Sequence, residues 1–76
     1  MELYIVHELD NPDWLPSPNE FLSRHNAIAR ARVVPDRTMG VYRAMPSYGE
    51  RLEAITHNGN VCLLVDIPDS TETERE

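Results

Sequence analysis

The sequence predicts a small α+β domain in which a mixed or antiparallel sheet of about three to four strands packs on one main helix. Three observations lead to this fold class. Short β-branched and aromatic runs lie near both ends and in the middle of the chain, one strong helix-start signal follows the first run, and prolines separate the segments. The predicted order is strand, helix, strand, helix or strand, strand. With 76 residues, the chain has room for one domain.

The first strand is predicted at residues 3–6, which are aromatic and β-branched, and it is expected to be an inner strand. Residues 10–16 cannot be regular, because Pro12 and Pro16 each lack a backbone donor. Trp14 and Leu15 are expected to fold back over the core as a lid. A role for Trp14 in binding is the alternative interpretation.

The main helix is predicted to begin at a capping box, with Ser17 at the N-cap, Pro18 at the first helical position and Glu20 at the third. It should end near residues 32–34, ahead of Pro35. At 100° per residue, one arc of this helix collects the residues expected to face the core: Phe21, Leu22, His25, Ile28 and Ala29.

A second strand is predicted at residues 38–44, with Gly40 marking a bulge or a close backbone approach. Residues 48–57 support two interpretations. A short helix, favoured by a second capping-box match at Ser47 and Glu50, competes with a strand that Asn58-Gly59 would join to the next strand as a hairpin. The last strand, residues 61–67, is almost wholly apolar and is expected to be central.

The domain is predicted to occupy residues 1–68, and the acidic residues 69–76 are predicted to be a disordered tail, because they contain no large apolar side chain. A core of this size is thin. Cys62 is the only cysteine, so no internal disulfide can form, and its apolar run predicts a buried thiol. A reactive thiol and an intermolecular bridge are the alternatives.

Charge is segregated along the chain, which carries a formal net charge of -6. Residues 1–20 hold five acids and no base, residues 21–51 hold six Arg and two acids, and residues 52–76 hold six acids and one Arg. Internal pairing between the Arg-rich middle and the acidic ends is expected. The net charge disfavours direct binding to nucleic acid or to an anionic membrane and favours a basic partner.

No strong catalytic, nucleotide-binding or metal-binding motif is present, so neither a cofactor nor a metal site is predicted. The one conceivable catalytic pair joins Cys62 to His25 or His57. His25 is interpreted as a histidine at the core edge. A non-enzymatic protein is therefore expected. The chain has no basic leader and no apolar stretch of membrane-spanning length, which favours a cytoplasmic protein.

The leading functional hypothesis is a small acidic binding protein or inhibitor that occludes a basic, nucleic-acid-binding surface of a partner protein. The candidate partner-binding residues are Glu8, Asp10, Asp13, Trp14, Glu72 and Glu74. Small acidic proteins of this kind include phage-encoded inhibitors of host defence such as anti-CRISPR proteins, an association of class without a sequence match. Acids that only keep the domain soluble would look the same.

The alternative hypothesis is a small subunit that binds nucleic acid itself through the Arg-rich middle segment. Its candidate residues are Arg24, Arg30, Arg32, Arg37 and Arg43. A homodimer is compatible with either hypothesis, because so short a chain often gains stability from a second subunit.

Overall fold

The computed structural model describes residues 2–47 and 49–64, and these form an α+β fold with one helix and an antiparallel sheet. The elements in chain order are β1 (Tyr4–Glu8), β2 (Glu20–Phe21), α1 (Arg24–Arg32), β3 (Thr38–Met45), β4 (Gly49–His57) and β5 (Asn60–Leu63). The five strands are arranged in the order β2-β1-β3-β4-β5, one strand more than the upper end of the prediction. The predicted α+β class is confirmed, but the predicted strand number and element order are not matched.

The core lies between α1 and one face of the sheet. β1 is an inner strand, as predicted, and it pairs with β3 so that Val6 is opposite Val41 and Glu8 is opposite Met39. Strand alternation sends every second side chain of these strands toward the helix. The buried apolar residues are Tyr4, Val6, Ala27, Ala31, Val34, Met39, Val41 and Ala54.

The helix begins later than the capping box at Ser17 predicts. Its N-cap is Ser23, whose Oγ accepts a hydrogen bond from the backbone N–H of Asn26 at 3.3 Å. Residues 19–21 instead line the edge of β1, where the Val6 N–H donates to the Asn19 carbonyl at 2.8 Å. The predicted helix start is wrong because the backbone of this segment pairs with β1, and the helix begins only after it.

The prediction of which helix residues face the core is also wrong in part. Ala27 and Ala31 are the buried residues of α1, whereas His25 is exposed. Phe21 does pack against the core, but it does so from β2, and Ile28 packs beside it from the helix. Small alanine side chains at helical spacing let α1 approach the sheet closely, and this pattern carries little hydrophobic signal in the sequence.

The second predicted strand is confirmed as β3, but what lies close to Gly40 is a side chain and not the backbone that was predicted to approach it. A Cβ on Gly40 would lie 2.5 Å from Cε1 of Tyr42, so the Tyr42 ring occupies the space that a side chain would need. The pairing of β3 with β4 shifts register between Val41 and Tyr42, which leaves Glu53 as the extra residue of a bulge.

Residues 49–57 form a strand, so the short helix favoured for this segment is wrong and the hairpin alternative is right. Asn58 and Gly59 adopt positive φ values of 49° and 90°, as a two-residue hairpin turn requires. The capping-box match at Ser47 and Glu50 does not form a helix, because this segment pairs along the whole of β3 and with β5 across the Asn58-Gly59 turn.

The last strand is an edge strand, not the central strand that its apolar sequence predicts. All four residues of β5 are exposed, and they include Cys62, which was expected to be a buried thiol. The error arises because a continuous apolar run is equally compatible with a strand buried on both faces and with an uncovered edge. The predicted disordered tail, residues 69–76, lies outside the described residues.

Candidate functional site

The loop that follows β1 is a hydrogen-bonded turn, although two prolines make its sequence irregular. The Asn11 N–H donates to the Glu8 carbonyl at 3.1 Å, and the Trp14 N–H donates to the Asn11 carbonyl at 3.1 Å. The Glu8 N–H in turn donates to the Trp14 carbonyl at 2.9 Å, which closes the loop. Asp10 has a φ of 67°, a left-handed conformation that Asp tolerates better than most residues.

Arg37 anchors this loop through two of the predicted partner-binding residues. Its Nη1 donates to Glu8 Oε2 at 3.0 Å, and its guanidinium carbon lies 4.1 Å from the centroid of the Trp14 ring. Asn11 Nδ2 donates to the other carboxylate oxygen, Glu8 Oε1, at 3.1 Å. Glu8 and Trp14 therefore act within the chain, where they fix the loop, and Trp14 packs against the core as the predicted lid. Leu15 is exposed.

The remaining acids of the loop, Asp10 and Asp13, are exposed and form no ion pair with any of residues 2–47 and 49–64. Asp36 is also exposed, and sequence reasoning missed it. It precedes β3 by two residues, just as Asp10 follows β1 by two residues, and these strands are antiparallel neighbours. Asp36 consequently lies at the same end of the sheet, a placement that pairing the first two predicted strands would have revealed.

We call Asp10, Asp13 and Asp36 the acidic end of the sheet. The loop carrying Asp10 is tied to the start of β3, because the Leu9 N–H donates to the Thr38 carbonyl at 2.9 Å. The Asp36 backbone is fixed as well, since its N–H donates to Asn58 Oδ1 at 2.8 Å. These carboxylates thus belong to two segments whose backbone is fixed by hydrogen bonds, with Asp10 and Asp13 in one and Asp36 in the other.

All five Arg side chains of the alternative hypothesis are engaged within the chain. Three form ion pairs: Arg24 with Glu53, Arg37 with Glu8 and Arg43 with Glu2. The other two donate to backbone carbonyls, Arg30 to Ser17 at 3.3 Å and Arg32 to Gly59 at 3.0 Å. Internal pairing of the Arg-rich middle with the acidic ends, as expected from the sequence, thus holds for three of these five side chains.

On the sheet face opposite α1, His7, Tyr42 and Glu50 form a polar cluster that the sequence did not predict. His7 is 6% exposed and stacks on Tyr42 with ring centroids 4.0 Å apart. Its Nδ1 donates to the Glu8 carbonyl at 2.9 Å, and its Nε2 lies 3.0 Å from Glu50 Oε1. Burial raises the pKa of Tyr42, and the negative charges of Glu50 and Asp10 raise it further. This cluster links the end of β1 to β3 and β4.

No hydrogen bond joins the conceivable catalytic residues to one another in the described part of the chain. Cys62 is exposed on β5, and strand alternation directs its side chain away from the sheet face that α1 covers, whereas His25 is exposed on α1. His57 lies on the same sheet face as Cys62, diagonally across the β4–β5 pair. Both of its ring nitrogens already have other partners, because Nδ1 is hydrogen-bonded to Thr38 Oγ1 at 2.9 Å and Nε2 lies 3.3 Å from Asn58 Nδ2. No group of three or more His, Cys, Asp or Glu side chains in the described residues could hold a metal ion.

Two further predicted partner-binding residues, Glu72 and Glu74, lie outside the described residues. Within the described part of the chain, no helix has the length and apolar character needed to cross a membrane. The chain matches no protein-family model, and neither a curated protein nor a solved structure is significantly similar to it.

Proposed function

We propose that this protein is a small non-enzymatic binding protein that covers a basic, nucleic-acid-binding surface of a partner protein with its acidic end. The observation that carries the proposal is that some residues of this loop make contacts within the chain, whereas two of its acids do not. Glu8, Trp14 and Arg37 fix the loop internally, while Asp10 and Asp13 remain exposed without ion pairs in the described residues. Such carboxylates are free to meet cationic side chains that otherwise contact phosphate.

The fixed loop makes this binding more favourable than charge alone would. A partner that engages a flexible loop must bear the cost of ordering it, whereas a loop already closed by hydrogen bonds loses little freedom on binding. Asp10 and Asp13 both lie within the loop that is closed by hydrogen bonds between Glu8 and Trp14. The acids of residues 69–76, including Glu72 and Glu74, would add long-range attraction to the same basic partner.

Direct nucleic-acid binding is less well supported, because its candidate Arg side chains already have partners. A phosphate would have to displace Glu53 from Arg24 and Glu8 from Arg37, and it would leave those carboxylates without their counter-ion. An inhibitor of host defence encoded by a phage, as anti-CRISPR proteins are, is one setting in which covering a nucleic-acid-binding surface would be useful.

The experiment that tests the proposal is competition with DNA. The immobilised full chain is exposed to nuclease-treated cell extract, and proteins that bind it are eluted with short duplex DNA. We expect DNA to release basic nucleic-acid-binding proteins, and we expect Asp10→Asn/Asp13→Asn to retain far less of them. The control is Glu20→Gln, which neutralises one exposed acid on β2, away from the acidic end, and should retain as much as the wild type.

Two results would overturn the proposal. One is retention by Asp10→Asn/Asp13→Asn equal to that of the wild type, which would mean that the acidic end is not the binding surface. The other is salt-sensitive binding of duplex DNA by the purified chain itself, which would favour the Arg-based alternative.

A further inference from the structure

The two edges of the sheet differ in how they are protected from pairing with another strand. The β2 edge is two residues long, follows Pro16 and Pro18, and carries the exposed Glu20. Short length, proline and charge are the usual means of blocking an edge. The β5 edge is also short, at four residues, but residues 60–64 contain neither proline nor a charged side chain.

The backbone of β5 offers hydrogen-bonding groups on its outer side. The Leu64 N–H donates to the Glu53 carbonyl at 2.9 Å, so Leu64 directs its backbone groups toward β4. Because these directions alternate along a strand, Cys62 also points toward β4, whereas Val61 and Leu63 direct their N–H and C=O groups outward. Their side chains are 40% and 49% exposed, and Leu64 is 48% exposed.

We propose that β5 pairs antiparallel with β5 of a second copy of this chain, about a twofold axis at Cys62. Val61 then lies opposite Leu63 of the second copy, and each such pair exchanges two backbone hydrogen bonds. The two five-stranded sheets become one continuous sheet, and both unprotected edges disappear.

The absence of charge on β5 is compatible with a second copy as the occupant. A chain of net charge -6 repels itself over most of its surface, but residues 60–64 are uncharged and can meet their own copy without repulsion. Antiparallel pairing also places Leu64 opposite Asn60 of the second copy.

Cys62 reports the register of this pairing. As its backbone groups point toward β4, Cys62 and its symmetry mate form a non-hydrogen-bonded pair with Cα atoms about 4.5 Å apart. A disulfide accommodates that separation. With oxidised glutathione as oxidant, two Cys62 thiols become one disulfide and one glutathione disulfide becomes two glutathione thiols. The contact between two short strands is small, so the reduced dimer should dissociate on dilution.

The test combines mass measurement with cross-linking. Sedimentation equilibrium of the reduced full chain should show a concentration-dependent rise from 8.7 kDa to twice that mass. Leu63→Pro removes an outward N–H that β4 does not use, so the fold should persist while the dimer is lost. Val61→Lys and Leu63→Glu should each be monomeric alone and should form a heterodimer when mixed, because the new charges face each other.

Circular dichroism at low concentration checks that each variant is folded. A wild-type chain that stays monomeric at every concentration would overturn the proposal. So would a dimer that survives Leu63→Pro, or a Cys62 disulfide that forms as fast in Leu63→Pro as in the wild type, since cross-linking would then arise from random collision.

Discussion

At the scale of single residues, the Arg-rich middle of the chain is explained by burial and pairing. Arg24 is the clearest case, because its Nε and Nη2 both lie 2.8 Å from Oε1 of Glu53. Glu53 is 1% exposed and occupies the bulge of β4, so its carboxylate has lost nearly all contact with water. Without Arg24, that charge would have no counter-ion in its surroundings.

Arg24→Ala should therefore destabilise the fold by about 3 kcal/mol, as expected when a buried ion pair loses one partner. The matched control is Arg43→Ala, which breaks the Arg43–Glu2 pair of similar length, but with Glu2 half-exposed. That control should cost less than about 1 kcal/mol. Urea unfolding of both variants measures the two costs. Equal costs would contradict the importance assigned to burial at Glu53.

Tyr4 and Tyr42 should make the stability of the fold depend on pH in the alkaline range. Burial raises the pKa of Tyr4 and of Tyr42, so the folded chain keeps two phenolic protons that the unfolded chain releases near pH 10. Their contribution is fully present below that pH and is lost as the pH rises through the folded-state pKa. Stability should fall above about pH 10, and Tyr42→Phe should make the fall less steep. An unchanged slope between pH 9 and pH 11 would contradict this assignment.

At the scale of elements, the sequence predicts some strands correctly, but it does not predict which segments pair with one another. The strand signals near Tyr4 and Val41 are confirmed because β-branched and aromatic residues alternate there over a buried face. The helix start is missed because pairing with β1 competes with the capping box at Ser17. The β4 strand is missed because the capping box at Ser47 and Glu50 competes with the hairpin signal of Asn58-Gly59. A capping box is a local sequence signal, whereas the pairing of a segment with a neighbouring strand depends on the assembled sheet.

The helix start can be tested by substituting the two candidate N-cap serines. Ser23→Ala should cost about 1 kcal/mol, because it removes the acceptor for the Asn26 N–H. Ser17→Ala should have little effect, since Arg30 contacts the backbone carbonyl of Ser17 and not its hydroxyl. Thermal unfolding of the two variants distinguishes the N-caps. A larger loss of stability for Ser17→Ala than for Ser23→Ala would contradict Ser23 as the N-cap and favour a helix that begins at Ser17.

At the scale of the whole molecule, the sequence predicts the acidic character but not its distribution in space. Glu8 and Trp14 were predicted to bind a partner, and their contacts with Arg37 could not be foreseen without the pairing of β1 with β3. The same pairing brings Asp36 to the end of the sheet that carries Asp10. A functional surface built from several turns is therefore invisible to a search for motifs.

The most direct test of the acidic end as a binding surface is its association rate with a partner released by DNA. Asp10→Asn/Asp13→Asn should slow association by about three- to tenfold at low salt and leave dissociation nearly unchanged, because long-range attraction acts on the encounter. Glu20→Gln should associate like the wild type, and melting temperatures should be similar in all three proteins. An association rate that is unchanged in the double variant at both low and high salt would contradict the proposed function and leave the acidic end as a determinant of solubility.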